Sequence, residues 1–296
     1  MGAANTSNPP LVSVCIPVYN DPDGLKRTLD SIINQTYQNI EIIASDDHSP
    51  NPSVWELLSD YASKDPRISI SQQPVNVGPD INYQFVYDKA KGKYMMFAQD
   101  NDLHSSGFIE KLVDALESNE TTPVAMCNSQ YMNSEGKRSP IYPLNNISVF
   151  NIVGNGAAGF VCMGLWRRED YGKYLVKTPK NIIGGDHIII AHAMLATGSS
   201  IPIVHSELYT KDVKPGGFEW SFKEFGFWYS FRTWHFMIKS LAKSPLIPTR
   251  RKLLLPAIAI TNLGRACAVT GGQIICTLPD DNILKRLLKK HFFGAN

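Results

Sequence analysis

Leu11-Val12-Ser13-Val14-Cys15-Ile16-Pro17-Val18-Tyr19-Asn20 is the stretch whose reading decides the fold. Residues 11–18 form a nearly continuous apolar run. A strand with one wet face alternates, whereas an unbroken run suits a strand covered on both faces, as in a parallel sheet. Directly after it, Asn20-Asp21-Pro22-Asp23 offers side chains that cap the orphan amides of a helix, and Leu25, Leu29, Ile32 and Ile33 recur at helical spacing. Strand followed by capped helix is the unit that the rest of the first hundred residues repeats.

Outward from this unit, residues 40–44 read as a second strand and residues 54–61 as a second helix with Trp55, Leu58 and Tyr61 to one side. Ile68 and Ile70 mark a short third strand, and Ile81, Phe85 and Val86 another helix. A strand over residues 94–98 precedes a helix carrying Phe108, Leu112, Val113 and Leu116. This alternation predicts an α/β fold with a doubly wound, mostly parallel central sheet.

Composition narrows the function classes. The 296 residues carry a formal charge of only +2, with 19% charged residues, so no general field favours nucleic acid. Cys15, Cys127, Cys162, Cys267 and Cys276 are scattered through apolar runs, without the spacing of a zinc site or a disulfide framework. The polar first ten residues lack the order of a signal peptide, and no apolar run reaches the roughly 20 residues that span a bilayer. These features predict a cytoplasmic protein, with residues 1–10 disordered.

The loops separate the nucleotide-binding folds. After the first strand the chain reads Pro17-Val18-Tyr19-Asn20-Asp21-Pro22, which is neither the G-x-G-x-x-G turn of a dinucleotide-binding unit nor a G-x-x-x-x-G-K-[ST] phosphate loop. Instead, Asp100-Asn101-Asp102 stands behind the apolar run Tyr94-Met95-Met96-Phe97-Ala98. Carboxylates this close repel unless a cation or a hydrogen-bond cage lies between them, and Mg²⁺ or Mn²⁺ prefers such oxygen ligands. The cluster suggests a diphosphate substrate neutralised by metal; a solvated turn is the plain alternative.

Four pieces in order resemble the family 2 glycosyltransferases, inverting enzymes of the GT-A fold. They are residues 12–20, then Glu41-Ile42-Ile43-Ala44-Ser45-Asp46-Asp47-His48-Ser49, then Asn76-Val77-Gly78, then Gly92-Lys93-Tyr94 with the acidic cluster. The resemblance is strong over residues 11–120, thinner to about 212 and absent beyond. It implies a GT-A domain over residues 11–215, with a nucleotide-binding half (11–103) and an acceptor half (104–215), followed by a C-terminal helical region (216–296).

The resemblance also implies roles. Pro17, Tyr19 and Asn20 would line the base pocket, Asp46 and Asp47 would bind base and ribose, Asn76 and Gly78 would shape the next loop, and Asn82 would face the nucleotide. Carboxylates suit this work because they accept from a base N–H and from ribose hydroxyls. His48 replaces the usual glycine after the acid pair, which predicts a differently shaped loop. Many members read Asp-x-Asp-Asp after the aromatic strand; here Gln99 and Asn101 stand at two of those acids. Asp102 is then the expected metal ligand, with Asp100 on ribose or on the metal and His205 as a further candidate. His104 reads as an exposed loop residue, with a metal role as the alternative.

Asp186, in Ile182-Ile183-Gly184-Gly185-Asp186-His187, matches the family's catalytic base at the start of a helix that Ile188, Ile189 and Ile190 predict to be buried. A plain helix cap is the alternative. Trp166 would stack on an acceptor sugar or else serve the core. The aromatic region after Phe218 and the basic run Lys285-Arg286-Leu287-Leu288-Lys289-Lys290 predict either a helical cover or a peripheral contact with anionic lipid. The expectation is therefore an inverting, metal-assisted transfer of a sugar from a nucleotide-sugar donor, a uridine diphosphate sugar, to a glycan or lipid-linked acceptor. A nucleotide- or glycan-binding protein without turnover, made plausible by Gln99, Asn101 and Gly185, and a sugar nucleotidyltransferase are the alternatives.

Overall fold

The computed structural model describes residues 8–133, 135–139, 149, 163–177, 179, 185–213 and 227–260. Strand β1 (Val12–Val18) is buried along its whole length, as its apolar run requires. It pairs in parallel with β2 (Ile40–Asp46) on one side and β4 (Tyr94–Phe97) on the other, and β2 pairs in parallel with β3 (Ile68–Gln72). Between them run α1 (Pro22–Ile33), α2 (Pro52–Lys64) and α3 (Pro79–Lys89), each with proline in its first turn, where a missing N–H costs nothing. Asp21 caps α1 through the Gly24 amide at 3.1 Å, and Asn51 caps α2 through the Ser53 amide at 3.1 Å.

Helix α3 departs from the periodicity reading. Ile81 is 58% exposed, and the buried residues are Asn82 and Val86. Asn82 is fixed inward because its side-chain amide donates to the Ser45 carbonyl at 2.8 Å, tying α3 to β2. A count of apolar residues cannot see a polar anchor on the buried face.

The second half of the sheet is mixed. It adds β5 (Asp102–His104), α4 (Phe108–Glu117), β6 (Val124–Asn133), β7 (Leu165–Arg167), α5 (Arg168–Tyr174) and β8 (Ile203–Val213). The strand order is β3-β2-β1-β4-β7-β6-β8-β5. β7 runs antiparallel to β4 and β6, β8 is parallel to β6, and β5 is antiparallel to β8. Asp102 thus opens a strand. Helix α4 buries Phe108, Ile109, Leu112, Val113 and Leu116, each worth roughly 1.5–3 kcal/mol of removed apolar surface. One core joins these residues to Val14, Ile16, Ile42, Met96 and Leu165. Cys15 and Cys127 are buried free thiols.

By its contacts the chain divides into two compact units. The first comprises Met1–Ile147, Phe160–Leu175 and Ser199–Val213 and holds the sheet; the second comprises Ser148–Gly159, Val176–Gly198 and Lys214–Asn296. In the second, α6 (Gly185–Thr197), α7 (Phe227–Lys243), α8 (Thr249–Lys252) and a helical stretch over 255–260 are described. Ile188, Ala191, Leu195, Met237, Leu241, Leu255 and Ile258 form its core. Arg251 donates to the carbonyls of Leu195 and Ala196 at 3.1 and 2.6 Å, placing a cation at the negative end of α6. No helix among the described residues is long and apolar enough to cross a membrane. The aromatic residues 218–226 and the basic run 285–290 lie outside the described residues.

Candidate active site

The loops that follow β1, β2, β3 and β4 are tied together beyond the strands' carboxyl ends, where β1 lies between β2 and β4. Open α/β sheets bind ligands in the crevice where the strand order reverses. The Tyr19 amide donates to Asp100 Oδ2 at 2.9 Å, and the Asn20 amide donates to Ser49 Oγ at 2.8 Å. Pro17 is buried in β1, whereas Tyr19 is 49% exposed and Asn20 is also exposed, with a left-handed φ of 56°. Gly24 lets α1 approach the cluster, since a Cβ there would stand 2.5 Å from the Asp100 carbonyl oxygen.

The first acid pair builds the loops. Asp46 is fully buried; its Oδ1 accepts from the Ser49 amide at 3.0 Å and from the Ser49 hydroxyl, and its Oδ2 accepts from Gln72 Nε2 at 2.9 Å. Asp47, 3% exposed, accepts from the amides of Val77 and Gly78 at 2.7 and 3.0 Å. Asn76 Oδ1 also accepts from Gly78, at 3.1 Å, while Gly78 holds φ 86° at the start of α3. Asn82 is 2% exposed and engaged with Ser45, beneath the loops. His48 takes φ 55° itself, so the backbone adopts the left-handed geometry glycine favours despite the substitution, at a cost of about 1–2 kcal/mol. Its Nδ1 lies 3.2 Å from the Gln73 carbonyl.

The second acid pair is arranged otherwise. Asp102 is 0% exposed; its Oδ2 accepts from the Gln99 amide at 3.3 Å, and the Tyr209 hydroxyl also hydrogen-bonds the carboxylate. Burial pushes its carboxyl up to about 6, opposed by the charge of Lys211 and by the Tyr209 and Gln99 hydrogen bonds and reinforced by Asp100. Asp100 is only half-buried. Thr28 Oγ1 lies within 3.0 Å of the Gln99 and Asp102 carbonyls and accepts from the Asp102 amide, pinning the cluster to α1. Lys211 is the cross-strand partner of Asp102 in the β5–β8 pair, and its Nζ donates to Gln99 Oε1 at 2.6 Å. Next to it, Asp212 is ion-paired with Arg27.

The remaining candidates separate. His104 is a core residue: both ring nitrogens lack hydrogen-bond partners among the described residues, its ring packs on Phe108 and Tyr209 at 4.7 and 5.5 Å, and burial pushes its pKa down to about 3. Its expected exposure is corrected, because β5 carries it inward beside Asp102 with the period of a strand. His205 is exposed, 3.3 Å from Asn128 Oδ1. It lies six residues before Lys211 on β8, roughly 20 Å along a strand, so the structure does not bring it to the cluster. Trp166 is 1% exposed, with Tyr171 edge-on at 5.4 Å; a ring enclosed in this way offers no face to a sugar. Asp186 occupies the second position of α6, and its side chain lies outside the described residues.

Mg²⁺ or Mn²⁺ at a diphosphate takes one or two accessible protein carboxylates, with water and phosphate filling the rest of its shell. Among the described residues no three His, Cys, Asp or Glu side chains gather closely enough to hold a metal. Asp102 is enclosed, Asp100 holds the Tyr19 amide, and the ammonium of Lys211 already stands at Gln99. This set fits a divalent cation poorly. Lys211, Arg27 and Ser49 were missed by sequence reasoning: nothing in the spacing of residues 203–213 relates a lysine there to an acid a hundred residues earlier.

Comparison with known proteins places the chain. The family model described as "Glycosyl transferase family 2" matches residues 13–175, more than half of the chain, and the chain belongs to that family. An uncharacterised glycosyltransferase of Haemophilus influenzae is 35% identical over 112 residues, 38% of this chain and 44% of that protein. The uncharacterised glycosyltransferase EpsJ of Bacillus subtilis is 33% identical over 134 residues, 45% and 38% of the two chains. The matched stretches thus span less than half the length of these relatives. Among solved structures, S. aureus TarS 1-349 superposes with a TM-score of 0.66 at 14% identity, covering 96% of this chain and 79% of that one. The mannosyltransferase PcManGT of Pyrobaculum calidifontis, solved with GDP-Man and Mn²⁺, gives 0.62 at 15% identity, covering 97% and 81%. The fold is GT-A.

Proposed function

We propose that the protein is an inverting glycosyltransferase that moves a sugar from a uridine diphosphate sugar to a glycan or lipid-linked acceptor. The observation that carries this reading is the convergence of the Tyr19, Ser49, Asn76 and Asp100 loops where the strand order reverses, within the stretch that matches the family. Uridine as the base is supported by TarS 1-349, solved in complex with UDP-GlcNAc at a TM-score of 0.65; PcManGT, with GDP-Man, makes guanosine the competitor. A glycan-type acceptor is supported by the Bacillus spizizenii poly(ribitol-phosphate) beta-glucosyltransferase, 35% identical over 94 residues, 31% of this chain and 15% of that enzyme.

In this reading the carboxylate of Asp186 takes the proton of the acceptor hydroxyl as its oxygen attacks the anomeric carbon opposite the departing diphosphate. Tyr19 and Asn20 line the base pocket, Asp46 and Asp47 hold the loops from which base and ribose are read, and Asp100 is the half-buried carboxylate beside them. The Mn²⁺ or Mg²⁺ expected from sequence would be held by Asp100 and Asp102, a set that fits it poorly, so no step here depends on it. Leu253, 77% exposed and next to Lys252 in the chain, and Ile260, 71% exposed, support a peripheral lipid contact by the C-terminal region.

The test is transfer by Asp186→Asn at saturating donor and acceptor. An amide keeps the shape and the capping ability of the carboxylate but accepts no proton, so the rate falls about 10²- to 10⁴-fold with donor affinity unchanged. Transfer within about threefold of the parent would remove Asp186 from the chemistry. Glutamine and asparagine at two family acid positions favour one second reading, a nucleotide binder without turnover; donor binding with neither hydrolysis nor transfer by the parent would establish it.

A further inference from the structure

We propose that Lys211 supplies the positive charge that meets the donor's diphosphate, in the role a divalent cation would otherwise fill. The proposal rests on the nucleotide-sugar reading above. Lys211 is paired with Asp102 across β5 and β8, and directly paired residues project from the same face of a sheet, so its side chain rises beside the cluster. Its Nζ is held 2.6 Å from Gln99 Oε1. Its hydrogen-bond partner is a neutral carboxamide, and the carboxylate across the sheet, Asp102, is itself buried. An ammonium has three donors, and the bond to Gln99 uses one.

The surrounding charges single this lysine out. Arg27 is ion-paired with Asp212, whereas Lys211 forms no ion pair among the described residues. The cluster reads Gln99-Asp100-Asn101-Asp102, so two of its four members are amides, and Asp102, one of its two acids, is wholly enclosed. Fewer open carboxylates weaken the hold on a divalent cation, and a fixed ammonium repels one. The same two features favour an anion. A nucleoside diphosphate is the ligand whose chemistry fits: a base and ribose for the loops after β1 and β2, and a diphosphate for the ammonium.

During transfer, the bond between the anomeric carbon and the β-phosphate oxygen breaks, and its electron pair leaves on the diphosphate. The acceptor oxygen forms the new bond and its proton passes to the base. Lys211 meets the charge gained by the leaving group and exchanges no proton.

The experiment titrates the full chain with uridine and guanosine and with their diphosphates, in EDTA and in Mn²⁺, for the parent, Lys211→Met and Lys211→Arg. The parent binds one diphosphate in EDTA within about threefold of its affinity in Mn²⁺. Lys211→Met weakens that diphosphate at least about tenfold, the size of one charged hydrogen bond, and leaves the matching nucleoside unchanged. Lys211→Arg keeps most of the affinity. Diphosphate binding that vanishes in EDTA, or that Lys211→Met leaves intact, overturns the lysine assignment while the donor reading stands. Parallel loss of nucleoside and diphosphate in Lys211→Met overturns it too, since the lysine would then only support the fold. If the parent binds no nucleoside and no diphosphate in either buffer, the donor reading falls and this proposal with it.

Discussion

Asp46 at the end of β2 and Asp47 just after it accept hydrogen bonds on all four carboxylate oxygens, whereas Asp100 and Asp102 straddle the start of β5, Asp100 half-buried, Asp102 enclosed, with a lysine across the sheet. Both are pairs of aspartates next to the same crevice. The first pair is a framework, because buried carboxylates that accept several N–H bonds hold their donors in one geometry. The second is an electrostatic device, in which a buried acid, a half-open acid and an ammonium share a small volume. What separates them is hydrogen-bond saturation, a property of the folded loops.

The largest effect that sharpens this contrast is expected at Asp47. Asp47→Ala leaves the Val77 and Gly78 amides without their acceptor and should cost about 3 kcal/mol, or roughly 6–12 °C in melting temperature. A melting point within about 2 °C of the parent would place Asp47 outside the framework.

Asp102→Asn tests the other side through pH. The carboxyl titrates at about 6, above its unfolded value of 3.8, so ionising it opposes folding. The penalty is absent below about pH 4, grows as pH rises through 6 and is complete above it. The penalty is at most about 3 kcal/mol. The Asn variant should therefore be more stable than the parent at pH 8 and equal to it at pH 4; equal effects at both would dismiss the buried-charge account. Loss of Mn²⁺-dependent diphosphate binding in the same variant would restore the ligand role that the sequence suggested for Asp102.

The smallest effect is expected at His48→Gly. Glycine takes φ 55° without the strain of a Cβ, but it loses the contact with the Gln73 carbonyl and carries more freedom in the unfolded chain. The net gain should be under about 1 kcal/mol. A loss of more than that, seen in thermal melts, would mean that the imidazole anchors the loop rather than filling a glycine's place.

The parallel half of the sheet was legible in the sequence because its signals are local. An apolar run without alternation gave β1, capping residues and helical spacing gave α1 and α2, and the absence of glycine loops removed two classes of nucleotide site. α3 was legible in position but not in orientation, since its anchor is a polar side chain. The site was legible in residue type alone. His104 read as exposed, Asp102 as ligand-facing and Trp166 as either a sugar platform or a core residue, and tertiary packing encloses all three.

The sequence by itself determined the alternation of strand and helix, the family to which residues 13–175 belong and the presence of two acid pairs. Only the tertiary structure decided which carboxylates are saturated, which side chains are enclosed, and that Lys211 stands across from Asp102. The physical reason is distance along the chain. Periodicity and capping act over a few residues, but the acceptors of Asp46 and Asp47 are satisfied by loops up to about thirty residues on, and Lys211 meets Asp102 across more than a hundred.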